Sequence, residues 1–266
     1  MGKLGRVLAA AIAQSGYSVG IMAKNVADTN NILSSFPGGA GMHAADYADL
    51  GRYEIIYITV QDDVIANVAA NIAASGGVGD KQLFVHCSGA LPASILQPLT
   101  ACGALIAACH PLQTFADIDS GIRHLPGTPW YCEGTMAAIA KIAPVIESLG
   151  GVMMPITAEQ KSAYHAAVCM AANYMTALIA AADDIAVHAG LPRDKFRASL
   201  MPILRATLDN TITMGPRAAL TGPVRRGDAA TIARHIDVLR EMDKKNGQGL
   251  ADLYQSLADF TKRNLV

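Results

Sequence analysis

The sequence predicts an α/β fold, a parallel sheet with its helices, followed by an all-α domain. Three observations carry that reading. Short apolar runs alternate with helical stretches as far as Ile156, the pattern of parallel strands joined by crossover helices. From Thr157 onward no β-like run recurs and the helices lengthen, so the boundary falls near Pro155, with a first domain over 1–155 and a second over 156–266. Two apolar runs also end abruptly in small and polar residues. The run at 83–85 opens into His86-Cys87-Ser88-Gly89-Ala90, and the run at 104–108 into Cys109-His110-Pro111-Leu112-Gln113-Thr114. Open α/β sheets form their ligand crevices beyond the carboxyl ends of strands, and two such tips suggest the floor of one site.

Taken in order, Gly2-Lys3-Leu4-Gly5 opens an alanine-rich helix, and residues 17–23 read as the strand after it. A G-x-x-G before a helix matches the last two glycines of a G-x-G-x-x-G dinucleotide loop. There the middle glycine lets the backbone approach a pyrophosphate and the last lets the helix pack closely. Gly2, Lys3, Leu4 and Gly5 are therefore the expected pyrophosphate contacts. The first glycine and its strand have no counterpart, so the Rossmann-like sheet reads as truncated in its first strand. In the order 3-2-1-4-5-6 that strand is central, and its loss would leave backbone groups unpaired along both neighbours. The expectation is a natural chain that begins one strand earlier. After the 17–23 strand comes Lys24-Asn25, where an acid would suit the ribose hydroxyl of NAD and a cation suits a 2′-phosphate. Lys24 thus favours NADP, with NAD still open.

Residues 26–37 read as a helix and turn, 41–45 as a short strand and 54–60 as a clear one. Asp62 or Asp63 is expected to cap the next helix, and the backbone of Val60, Gln61 and Asp62 to flank the nucleotide. That helix ends at Gly76-Gly77. Beyond the strands at 83–85 and 104–108, residues 127–133 give another strand, 135–148 a helix and 150–156 the last strand. A helix over 157–188, apolar nearly all round and hence buried, stops at Gly190-Leu191-Pro192. A second spans 194–210 with Pro202 as a kink point, and 211–228 is an irregular loop. Asp228 caps a third helix, and Leu250, Leu253, Tyr254 and Leu257 mark a fourth.

With 266 residues the chain can hold two domains and a sizeable core. Only 16% of residues are charged and the formal net charge is −1, which gives no electrostatic case for nucleic acid or an anionic membrane. The five cysteines form no C-x-x-C pair; they read as small buried hydrophobes of a reduced, cytoplasmic protein, with no metal site. Residues 166–182 carry no charge and sit at the short limit for a membrane span. Their alanine content, with Cys169, Asn173 and Thr176, favours a core helix.

The chemistry concentrates on a few side chains. His110 is the expected proton donor or acceptor, since an ordinary imidazole exchanges protons near neutral pH. Hydride transfer at a carbon bearing oxygen or nitrogen needs one proton moved as well, and a nicotinamide cannot move it. Ser88, with the Gly89 amide, is expected to orient a carboxylate or carbonyl. On the long helix Lys161, His165 and Asn173 stand at i, i+4 and i+12, roughly 40° and 120° round from the first. A polar stripe in an apolar helix needs partners or a wet cleft, and the gap between sheet edge and helical domain is the place expected for it. Arg225 or Arg226 could clamp an acid group.

Several runs together, HCSGALPAS, HPLQTFAD, GTPWYCEG, AEQKSAYHAAVCMAANY and ALTGPVRRGD, resemble a bacterial family that joins a Rossmann-like domain to a helical domain of unknown function. That family is similar to the 6-phosphogluconate-dehydrogenase-like superfamily, near pyrroline-5-carboxylate reductase and the NADP-deazaflavin oxidoreductases. The resemblance implies NADP bound by the first domain and a homodimer formed through the second. His110-Pro111 is also similar to the HP motif of prephenate dehydrogenases, where the histidine assists hydride transfer. The expected function is an NADP-dependent oxidoreductase acting on a small acidic metabolite. The rival expectations are a nucleotide-sensing protein without catalysis and a ligand-free dimerisation protein.

Overall fold

A computed structural model describes residues 1–36 and 41–266; the expected turn ending at Pro37 lies outside them. The chain forms two compact units, Met1–Val168 and Cys169–Val266. The strands end at Pro155, but the first unit continues through one more helix.

In the first unit, helix α1 (Lys3–Gln14) buries Gly5, Val7, Leu8 and three consecutive alanines, small side chains that let it lie close to its neighbours. Strand β1 (Val19–Ile21), helix α2 (Val26–Ser34) and strand β2 (Met42–Ala44) follow, and β1 pairs with β2 in parallel. A separate five-stranded sheet has the order β3-β4-β5-β6-β7. Its strands are β3 (Ile55–Ile58), β4 (Leu83–His86), β5 (Leu105–Pro111), β6 (Pro129–Gly134) and β7 (Val152–Pro155). β1 and β3 are not paired with each other. The helices α3 (Ile65–Ala74), α4 (Gln97–Thr100), α5 (Ile118–His124), α6 (Met136–Ser148) and α7 (Ala158–Val168) complete the unit.

Strand β4 shows why the sheet is central. All four of its residues are buried. Leu83 and Val85 join one apolar cluster with Val7, Trp130 and Ile142, while Phe84 joins another with Ile58, Ile65 and Leu99. Alternate residues thus feed opposite layers, and a strand covered on both faces reads as continuous apolar sequence. One expectation needs correction. β3, β4 and β5 run parallel, as do β6 and β7, but β6 runs antiparallel to β5. The intervening α5 packs on α1, with Gly121 pressed against Val7, and the chain enters β6 in the opposite sense. A second correction concerns Asp62 and Asp63, which lie in a 3-10 turn (Asp62–Val64) ahead of α3 and do not cap it.

The second unit is helical: α8 (Tyr174–His188), α9 (Arg193–Met214), α10 (Pro216–Ala219), α11 (Gly222–Arg226), α12 (Ala229–Asn246) and α13 (Leu250–Asn264). A π-turn over Cys169–Asn173 precedes α8. The Asp228 side chain caps α12 by accepting from the Thr231 amide. Its small core holds Leu239, Met242, Leu250 and Ala251, beside a buried Asp183 paired with Arg197. The expected loop over 211–228 is largely helical, because α9 continues past Asn210 and Pro216 and Pro223 each open a short helix, a position proline favours. The long helix was expected to be buried all round, yet Met170, Tyr174, Met175 and Leu178 are exposed. By length and composition alone residues 158–188 would reach across a membrane.

Candidate active site

The β4 tip is built before any ligand is considered. The His86 ring is buried, accepting the Ser88 amide at Nδ1 (3.2 Å) and facing the Pro92 carbonyl oxygen at Nε2 (3.1 Å). A carbonyl only accepts, so His86 carries its proton on Nε2. Burial, set first among the causes, pulls its pKa down to about 4. Ser88 closes the turn: its hydroxyl donates to Asp62 Oδ2 (2.7 Å) and accepts from the Ala90 and Leu91 amides. Its carbonyl accepts from Lys161 Nζ at 3.1 Å.

Lys161 is wholly buried, which lowers its pKa, while the nearby Glu133 carboxylate partly restores it. Glu133 itself accepts the Ala93 amide at 2.7 Å. On the same helix Tyr164 and His165 meet His110 at the end of β5. The Tyr164 hydroxyl lies 2.9 Å from His110 Nδ1. The His165 ring stands edge-on to His110, with centroids 5.8 Å apart. Tyr131, cross-strand partner of His110, packs against Tyr164 with centroids 4.4 Å apart and the rings tilted by 36°. Burial, then His165, then Lys161 push the His110 pKa down to about 4, so this imidazole is neutral at pH 7. A β-carbon on Gly89 would collide with His165 and come within 3.2 Å of the His110 ring. Glycine is what lets the β4 tip approach both imidazoles.

At the other end of the same sheet edge lies the start of α1. Gly2 is its N-cap residue and makes no side-chain cap bond, and the first turn holds no acid. Its free amides and positive dipole end are suited to a phosphate. A β-carbon on Gly5 would collide with Thr59, just past β3, so the helix start is held against that strand's tip. Beside it a cavity of about 460 Å³ is lined by Lys3, Arg6, Ser35, Asp117, Ile118 and Asp119. The helix start with Lys3 and Arg6 fits the charge of a dinucleotide's phosphates, whereas Asp117 and Asp119, which also line the cavity, oppose it. A line of contacts then runs from Gly5 to Thr59, from Asp62 to Ser88, and from Gly89 to His110.

Residues 128–261, half of the chain, match the family described as Domain of unknown function (DUF2520). The chain belongs to this family. Residues 1–111 match a Rossmann-like domain. No curated protein matches the sequence. Among solved structures, a Thermotoga maritima protein is similar at 23% identity and TM-score 0.68, over 99% of this chain and 95% of that one. A proposed NADP oxidoreductase from Bacteroides fragilis has 19% identity, TM-score 0.76 and the same coverages. An imine reductase from Myxococcus stipitatus in complex with NADP+ has 19% identity and TM-score 0.65, over 100% and 93%. At these identities the likeness establishes the fold.

In this DUF2520 chain the first unit brings together Ser88, His110, Lys161 and His165 of the expected site, with Asp62. Asn173 falls in the second unit, exposed at the end of the π-turn; that turn interrupts the regular stepping on which its shared face was counted. Lys24 is exposed after β1, and Asn25 caps α2 by accepting the Asp28 amide. Val60 and Gln61 are exposed beyond β3. Leu4 is half-buried against the core. Arg225 and Arg226 are exposed in α11. Sequence reasoning passed over Tyr164, Tyr131 and His86. Tyr164 follows Lys161 by three residues, roughly 60° round from it, so the helical count that picked His165 could have picked it too.

Proposed function

We propose that this protein is an NADP-dependent oxidoreductase acting on a small acidic metabolite. The observation that carries the reading is the unbroken line of strand tips, from the uncapped start of α1 to the His110 cluster. The Gly2–Gly5 turn would hold the pyrophosphate, with Lys24 toward a 2′-phosphate, and the bound nicotinamide would supply or take the hydride. The chain's own residues do the rest. His110 exchanges a proton with the substrate's oxygen or nitrogen. The Gly89 amide orients an acid group, and Lys161, buried behind the β4 tip, holds the Ser88 carbonyl in place. Tyr131 and Tyr164 exclude water from one side.

We further propose that a second copy of the chain covers the exposed apolar faces of α8 and α9, giving a homodimer in a reducing cytoplasm.

Thermal shift and turnover test the first proposal together. NADPH should raise the melting temperature more than NADH. His110→Ala should keep that shift and lose about 10²- to 10⁴-fold in turnover, the usual contribution of a general acid–base group. A melting temperature unmoved by either nucleotide overturns the oxidoreductase reading. A shift without turnover on any small acidic carbonyl or imine supports a nucleotide sensor instead.

A further inference from the structure

The contact between Tyr164 and His110 has a direction. A phenol has one proton, and an imidazole nitrogen either accepts it or donates its own. The Tyr164 hydroxyl is half-buried, and Nδ1 of His110 is the partner found for it among the described residues. If Nδ1–H pointed at the phenol oxygen, the phenol proton would be left without an acceptor among the described residues, beside the Tyr131 ring. Donation from Tyr164 satisfies both groups, and unmade bonds in such surroundings are costly. We infer that Tyr164 is a positioning residue that holds His110 as the neutral tautomer with its proton on Nε2, so that His110 meets substrate as a hydrogen-bond donor.

The remaining geometry agrees. Nε2 and Cδ2 form the ring edge that lies beside Gly89, on the side away from Tyr164. The charged and titratable groups around the ring are Lys161, Tyr164 and His165 from α7, Tyr131 from β6 and Asp62 from the β3 tip. Lys161 and His165 both oppose an imidazolium, and burial opposes it further. A neutral imidazole presenting N–H polarises a carbonyl or imine acceptor. The inference rests on the oxidoreductase reading and deepens it: the substrate class is one whose reacting atom accepts a hydrogen bond, so the site is set for reduction. In that direction the hydride adds to carbon, and the Nε2 proton passes to the oxygen or nitrogen. Solvent then returns a proton to the ring.

Nitrogen-15 NMR of the full chain with labelled histidine, the His110 signals assigned by their loss in His110→Asn, reads the tautomer without cofactor or turnover. The expected spectrum has a protonated Nε2 and an unprotonated Nδ1 at pH 7. Tyr164→Phe should mix the two tautomers and move the His110 titration upward from about 4, because a donor to Nδ1 holds that nitrogen unprotonated. In turnover, Tyr164→Phe should lower kcat about 10-fold or more with KM little changed. A wild-type spectrum with the proton on Nδ1 overturns the inference, and so does a Tyr164→Phe spectrum identical to wild type. Should Tyr164→Phe fail to fold, the wild-type spectrum alone decides. Nucleotide binding tests the parent reading separately, so the two can fail independently.

Discussion

In the first unit β4 sends alternate side chains into two packed layers, and Trp130, Phe84 and Ile142 are fully enclosed. In the second, α9 runs for 22 residues without burying one, and Met201, Ile203, Leu208, Ile212 and Met214 stand exposed along it. Both units carry apolar sequence, and among the described residues the first encloses far more of it. A sheet collects cover from helices on two sides, whereas a few helices with apolar side chains all round cannot shield one another. Exposed apolar surface on this scale marks an interaction face. The first unit encloses a core of its own, whereas the second leaves an apolar face open along α8 and α9.

The sharpest way to break that contrast is to charge the uncovered face. Leu178→Glu with Ile212→Glu should weaken self-association about 100-fold or more, since a carboxylate enclosed without a partner is strongly disfavoured. Analytical ultracentrifugation reads this directly. A wild-type chain that sediments as a monomer would remove the homodimer, and one that enters solution only with detergent would assign the face to a bilayer.

Acid sharpens the contrast from the other side, because both strongly shifted histidines belong to the first unit. His86 and His110 titrate near 4 when folded and near 6.5 when unfolded. Between those values the unfolded chain binds more protons. Stability is therefore full above about pH 6.5 and falls as pH drops toward 4, by up to a few kcal/mol. Urea unfolding at pH 7 and pH 5 should show the loss, and His86→Gln should flatten it. An equal pH dependence in that variant would mean His86 is not held neutral.

The smallest effects compare like with like. Thr135 caps α6 in the first unit and Asp228 caps α12 in the second, each by accepting a backbone amide. Replacing either by alanine should cost about 1 kcal/mol. If the units melt separately, calorimetry will place the Thr135→Ala loss in one transition and the Asp228→Ala loss in the other. A shared shift would show that they unfold as one.

Much of this was legible in the residues themselves. The apolar runs at 54–60, 83–85 and 104–108 became β3, β4 and β5 because a strand enclosed on both faces leaves an uninterrupted signature. Asp228 and Thr135 could be placed as helix starts by their short acceptor side chains. The direction of β6 could not be read, since a strand's sequence looks the same in a parallel or an antiparallel neighbourhood. Neither could the role of Asp62, whose side chain is recruited by Ser88, 26 residues away, when its local spacing suggested a cap. The π-turn at Cys169–Asn173 was equally silent, and with it the placing of Asn173. Solvent exposure of 166–182 escaped detection because periodicity reports that a helix is apolar, without saying whose atoms will cover it.

The reversal of β6 shapes what can vary around His110. Because β6 enters the sheet at the edge where β5 leaves it, residues 112–128 form one connection that turns back beside His110, and connections of this kind lengthen and shorten freely. Tyr131 stands within the ladder, in register opposite His110, and cannot slide along it without disturbing the pairing. Variation on that side is thus divided between a connection that can change its length and a ladder position that can change only its side chain.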